Sequence, residues 1–257
     1  MEIIAVYNIK GGVGKTTTAV NLSYLSAAAG WPTLLWDLDP QGAATYLLDG
    51  GPQRKAGARG IIEGKRLLEE LVKHTRYQNL DLLPGDFSYR HMDLHLNERK
   101  KRAVRLLKLM RPLQIHYGSV FLDCPAGISL VSENIMWAAD ALLIPTIPSP
   151  LSVRMLEQLG DFVVAHKRRD LVLLPFFSMV DRRRRLHRQA LATIRQRFPI
   201  MLATEIPYSS DIEAVSVRRA PLPAYAPRNP AALAYETLWR EIDVKLDRAR
   251  SQPGKSA

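Results

Sequence analysis

The sequence predicts an α/β protein: a doubly wound, mostly parallel sheet flanked by helices. Three observations predict it. Short apolar runs alternate with stretches of helical periodicity along most of the chain. The runs are near-continuous in apolar residues, as strands covered on both faces are. A glycine-rich loop, Lys10-Gly11-Gly12-Val13-Gly14-Lys15-Thr16-Thr17, joins the first apolar run to the first helical stretch. Strand, glycine loop and helix in that order form the context of a phosphate site.

Taken in order, Ile3-Ile4-Ala5-Val6-Tyr7 gives a strand over 2–7. A helix comes next over 15–29, ended by Gly30 and blocked by Pro32. Leu34-Leu35-Trp36 marks a strand over 33–37, and Pro40 ends that segment. Further strands are expected at 79–83, 119–123, 141–146, 171–177 and 202–206. Helices are expected at 64–74, 97–110, 129–138, 151–168, 184–197, 209–216 and 230–249. Asp49 to Lys65, rich in glycine and basic residues, reads as a mobile surface loop. The chain is polar from about residue 248. No repeat or linker divides it, so one domain over 1–257 is expected.

Composition narrows the partners. The chain has 257 residues, 47% apolar, and no run near the ~20 apolar residues needed to span a bilayer. The N-terminus enters a strand with no basic leader, so a secretory signal is not expected. Cys124 stands alone. It excludes an intramolecular disulfide and a four-thiolate cluster within one chain, and it fits a reducing cytosol. Net charge is +11. A charge of that size favours a polyanionic partner, nucleic acid or an anionic membrane face, over a merely basic surface.

The chemistry converges on a nucleotide. Gly11, Gly12 and Gly14 let backbone N–H groups approach phosphate oxygens. The helix beginning behind them points its positive end at the same anion. Lys15 would reach the β- and γ-phosphates, and Thr16 would offer its hydroxyl to Mg²⁺. Two strands end in carboxylates: Leu34-Leu35-Trp36-Asp37-Leu38-Asp39 and Val120-Phe121-Leu122-Asp123. Period-two alternation puts Asp37 and Asp39 on one face. Asp123 has the Walker B placement, in which a carboxylate holds Mg²⁺. The run from Glu205 through Pro207 lies where such a fold places its last strand and a loop able to close over a base. Lys10 has no role in an ordinary phosphate loop.

Together these segments resemble the ParA family of deviant Walker A ATPases, in the ParA/MinD superfamily, over nearly the whole chain. The resemblance rests on KGGVGKTT at 10–17, DLDPQGAAT at 37–45, FLDCPAG at 121–127, MVDRR at 179–183 and a Pro/Ala/Tyr pattern from 206 to 238. It implies an Mg²⁺-dependent ATPase, slow unless stimulated. Lys10 resembles the signature lysine that reaches across a nucleotide-sandwich dimer to the partner's phosphates. Lys15 resembles the Walker A lysine, Thr16 the metal ligand and Thr17 an α-phosphate contact. Asp39 resembles the residue orienting the hydrolytic water, with Asp37 and Asp123 supporting the metal. Cys124 and Ala126 replace the commoner Thr and Pro, which implies altered packing there and no lost activity.

The positive charge is clustered. Arg182, Arg183, Arg184, Arg185 and Arg188 form the densest run; Arg218, Arg219 and Arg228 form a second; Arg99 to Arg102 with Arg105 and Lys108 form a third. None carries the pattern of a base-reading helix or an aromatic stacking platform. The expectation is sequence-independent binding of duplex DNA through phosphates, against the plainer alternative of solvated helix faces. The resemblance adds an ATP-bound homodimer, a ParB-like or cargo-adaptor activator, a cytoplasmic, nucleoid-associated location and a cargo that is a plasmid, a chromosome or a large protein body. The phosphate loop opening at residue 10 resembles the compact ParA proteins. A MinD-like membrane cycle is the alternative, but Pro253 and Gly254 interrupt the amphipathic helix it needs, and no membrane partner is expected. An iron protein would need two cysteines, and an amidotransferase a glutaminase domain. His91 and His95 share helical spacing without further ligands, so no metal site is expected there.

Overall fold

The computed structural model describes residues 1–48, 57–100, 102–166, 168 and 170–251, with backbone alone for 248–251. The expected loop over 49–65 falls partly outside these residues; its second half forms a helix. In chain order the strands are β1 (Glu2–Val6), β2 (Thr33–Asp37), β3 (Lys73–His74), β4 (Leu80–Leu83), β5 (Ser119–Asp123), β6 (Ala141–Thr146), β7 (Val172–Val180) and β8 (Glu205–Pro207). The helices are α1 (Lys15–Ala28), α2 (Ala43–Leu47), α3 (Gly57–Glu63), α4 (Met92–Asn97), α5 (Arg105–Met110), α6 (Leu130–Ala138), α7 (Pro150–Ala165), α8 (Arg185–Arg197), α9 (Ser210–Glu213), α10 (Val215–Arg218), α11 (Leu222–Tyr225) and α12 (Pro230–Ser251).

The strands form one sheet in the order β3-β4-β2-β5-β1-β6-β7-β8. Every neighbouring pair is parallel except the edge pair β3–β4. The doubly wound sheet is therefore as expected. Alternation along β1 sends Ile3, Ala5 and Tyr7 into one core and Ile4 and Val6 into the other. The first core packs against α3 to α8, the second against α1 and α12. The central strands are thus buried on both faces, and only their ends meet solvent. Because β1, β2 and β5 run parallel side by side, their C-terminal ends open together on one edge.

Several elements depart from expectation. The helix over 64–74 is absent: Gly64, at φ 72°, ends α3, a 3₁₀ turn spans Leu68–Leu71, and Lys73–His74 pair with the sheet edge. The helix over 97–110 is broken, because Asn134 Oδ1 accepts the N–H groups of Arg105 and Leu106 at 2.9 and 3.2 Å and caps a new helix there. The strand over 202–206 starts only at Glu205, since Glu241 takes the N–H groups of Ala203 and Thr204. The helix over 209–216 is two short ones, α9 and α10. Strand β7 runs on to Val180 with an irregularity between Phe177 and Val180, where Met179 takes φ 56°. The last helix continues through Ser251, past the expected start of the polar tail. Among the described residues no helix is long and apolar enough to cross a membrane.

Candidate functional site

The phosphate loop leaves β1 and turns back into α1 through two left-handed glycines, Gly12 at φ 70° and Gly14 at φ 89°. Gly14 is the N-cap of α1 and no side chain caps that helix, so its first N–H groups remain for an anion. A Cβ at Gly14 would stand 3.1 Å from Ser178 Oγ and 3.6 Å from Met179 Cε; the loop is pressed against the end of β7. Val13 is buried beneath the loop, while Lys10, Gly11 and Gly12 are exposed.

Lys15 is buried, and its Nζ donates to Lys10 O at 3.3 Å. Burial pulls its pKa down; the nearby carboxylates of Asp123 and Asp39 oppose that pull. Thr16 and Thr17 are half-buried in the first turn of α1, and Thr17 O accepts from Asn21 Nδ2 at 2.7 Å.

Three carboxylates face this turn and differ in their partners. Asp37 and Asp123 are register partners on β2 and β5, and both are wholly buried. Asp37 is fully engaged: Oδ2 accepts from Thr45 N and Oγ1 at 2.8 and 2.7 Å, and Oδ1 from Asp39 N at 3.2 Å. Burial nevertheless pushes its pKa up to about 6. Neither oxygen of Asp123 has a hydrogen-bond partner of ordinary geometry. Burial, then the Asp37 charge, hold its pKa well above the usual carboxylate range, opposed by the nearby Thr16 hydroxyl. An orphaned carboxylate beside a lysine, a threonine hydroxyl and a helix N-terminus suits a divalent cation carried with phosphates. Asp39 lies beyond β2, not on it; it is half-buried and its Oδ1 accepts Gln41 N at 2.9 Å. The shared strand face expected for Asp37 and Asp39 is therefore replaced by a turn.

Three residues at this site escaped sequence reasoning. Thr45 accepts Gly85 N–H at 2.7 Å while donating to Asp37. A Cβ at Gly85 would stand 3.0 Å from both Asp37 Cγ and Asp39 O, so a larger residue there would push against the carboxylate turn. Asn8, wholly buried, ties Lys10 N to the end of β6. Only Thr45 carried a signal, in the DLDPQGAAT match. Cys124 packs in the core with Sγ toward Leu122 O.

Pro207 ends β8 and, with Val180, Arg182, Glu205, Pro230 and Ala234, lines a cavity of about 240 Å³. The basic runs are unequal. Arg182 pairs with Glu205 at 2.8 Å and Arg183 with Asp181 at 2.9 Å. Arg188 Nη1 donates to the carbonyls of Arg182 and Arg183. Arg219 stacks on Tyr46 and bonds its carbonyl. Arg184, Arg185, Arg218 and Arg228 are exposed and make no ion pair among the described residues. The third run is dispersed: Arg99 pairs with Glu63, and Arg105 Nε bonds Ile62 O.

Comparison with known proteins agrees with this geometry. Residues 1–172 match the AAA domain family. The chain is 30% identical over 250 residues to the sporulation initiation inhibitor protein Soj of Bacillus subtilis, covering 94% of this chain and 98% of Soj. It is 29% identical over 269 residues to the chromosome partitioning protein ParA of Caulobacter vibrioides, covering 100% and 98%. Among solved structures, an ATP complex of a McdA variant from Cyanothece superposes with a TM-score of 0.81 at 21% identity, covering 95% and 96%. The chain belongs to the ParA/MinD superfamily of P-loop ATPases.

Proposed function

We propose that this ATPase closes an ATP-bound sandwich dimer, binds duplex DNA without regard to sequence, and positions a cargo until an activating partner stimulates hydrolysis. The observation that carries the nucleotide half is the pair of orphaned Asp123 oxygens beneath the glycine loop and beside Lys15. Thr16 and Asp123 hold Mg²⁺ in this reading, with Asp37 behind them ordering the 37–45 turn. When bound, the ion neutralises charge developing on the transferred phosphoryl group. Backbone N–H groups of Gly11 to Thr17 bind the phosphates, Thr17 contacts the α-phosphate, and Pro207 borders the base. Lys15 grips the β- and γ-phosphates. Asp39 orients the water that attacks the γ-phosphorus as the bond to ADP breaks. Lys10, exposed at the loop's rim, reaches the partner protomer's phosphates and stabilises the same charge.

The DNA half is supported by the net charge of +11 and by the four exposed guanidinium groups of Arg184, Arg185, Arg218 and Arg228. Pairing two protomers doubles that surface, so a weak patch becomes bivalent only when ATP is bound. The name of the ParA relative from Caulobacter vibrioides supports partitioning of a chromosome; an activator of the ParB kind is the partner expected. The test is MgATP turnover and oligomeric state with and without duplex DNA. ATP-dependent dimerisation and DNA binding are expected. Full turnover by a monomer indifferent to DNA would overturn the reading.

A further inference from the structure

Lys10 is held by its backbone on both sides. Its N–H donates to Asn8 Oδ1 at 2.8 Å, and its carbonyl accepts from Lys15 Nζ at 3.3 Å. The two holders differ in permanence. Lys15 Nζ makes a long bond beside an uncapped helix N-terminus, and an arriving triphosphate competes for it. Asn8 has no such competitor. Its side chain is wholly buried, and its Nδ2 donates to Pro145 O at 2.8 Å, so β6 fixes the amide that fixes Lys10. Both ends of that amide are satisfied; removing it would take a donor from buried Pro145 O and the acceptor from the part-buried Lys10 N–H.

We propose that Asn8 is the positioning residue for Lys10. It sets the backbone from which the exposed lysine side chain departs, and it keeps that bearing after Lys15 has transferred to phosphate. The inference rests on the reading of Lys10 as a residue that acts on the partner's phosphates. It assigns Asn8 no contact with nucleotide.

The test is a double-mutant cycle between Asn8→Ala and Lys10→Ala, read as MgATP turnover by phosphate release and MgADP affinity by calorimetry. Lys10→Ala should slow turnover about tenfold or more. Asn8→Ala should fall by a similar factor while its MgADP affinity stays within about threefold of native, and the double variant should be no slower than Lys10→Ala alone. Multiplicative losses, or native turnover in Asn8→Ala beside a slow Lys10→Ala, would overturn the role of Asn8 and leave that of Lys10 standing. Native turnover in Lys10→Ala would instead overturn the reading of Lys10. If Asn8→Ala does not fold, Asn8→Ser keeps an uncharged side-chain oxygen two residues before Lys10 N–H, where a hydroxyl can accept it. Its turnover should then exceed that of Lys10→Ala, and a loss equal to Lys10→Ala would overturn the proposal.

Discussion

Asp123 is poorly accommodated in the free protein, because a buried carboxylate with no hydrogen bond of ordinary geometry strongly disfavours ionisation. Asp123→Asn should therefore raise the melting temperature of the nucleotide-free chain while removing Mg²⁺-dependent ATP binding; a lower melting temperature would contradict this account. Asp37 adds a pH signature. Its folded-state pKa of about 6 exceeds the ordinary 3.8, so the folded chain binds more protons between those values. Stability from this group is present at low pH and is lost as pH climbs from about 4 to about 6. Asp37→Asn should flatten the melting temperature over that range. Asp39→Ala should retain MgATP binding and lose turnover, trapping the DNA-bound dimer. The motif residues were legible because glycine, lysine and carboxylate spacing encodes phosphate chemistry directly. Asn8 and Gly85 were not, since their roles depend on partners at Pro145 and at Asp37, far away in sequence.

At the scale of elements, the site depends on caps as well as strands. Ser129 and Ser132 form a capping box at the start of α6, just after the Asp123 strand, and Tyr7 Oη donates to Gly127 O to hold the same turn. Ser129→Ala should cost about 1 kcal/mol, read as a lower denaturant midpoint with an unchanged slope. The central strands were readable because burial on both faces leaves runs such as Ile3 to Tyr7 with no polar interruption. The region from 64 to 110 was not. Pairs such as Leu68 and Leu71 recur at three residues, a spacing that 3₁₀ turns satisfy as well as α-helix, and Asn134 decides the break from another helix.

At the scale of the whole molecule, DNA affinity should fall steeply and linearly with the logarithm of salt concentration, with a slope set by the phosphates neutralised. Substituting Arg184, Arg185, Arg218 and Arg228 together should flatten that slope by about four ions per protomer without changing MgADP affinity. An unchanged slope would place the contact elsewhere. Charge totals announced a polyanion, but only the folded chain separates arginines spent on Glu205, Asp181 and Tyr46 from those left outward.

Strand β7 presses Ser178 and Met179 against the phosphate loop, and its continuation becomes the arginine run. In the proposed reading, the loop that takes the small anion and the run that takes the large one are therefore joined by one strand end. In that reading a shift of the strand end that suits one guest would be felt by the other, and thermodynamic reciprocity would make the influence equal in both directions. A long polymer gripping the outside should therefore alter how tightly fuel is kept within, even before any third protein arrives.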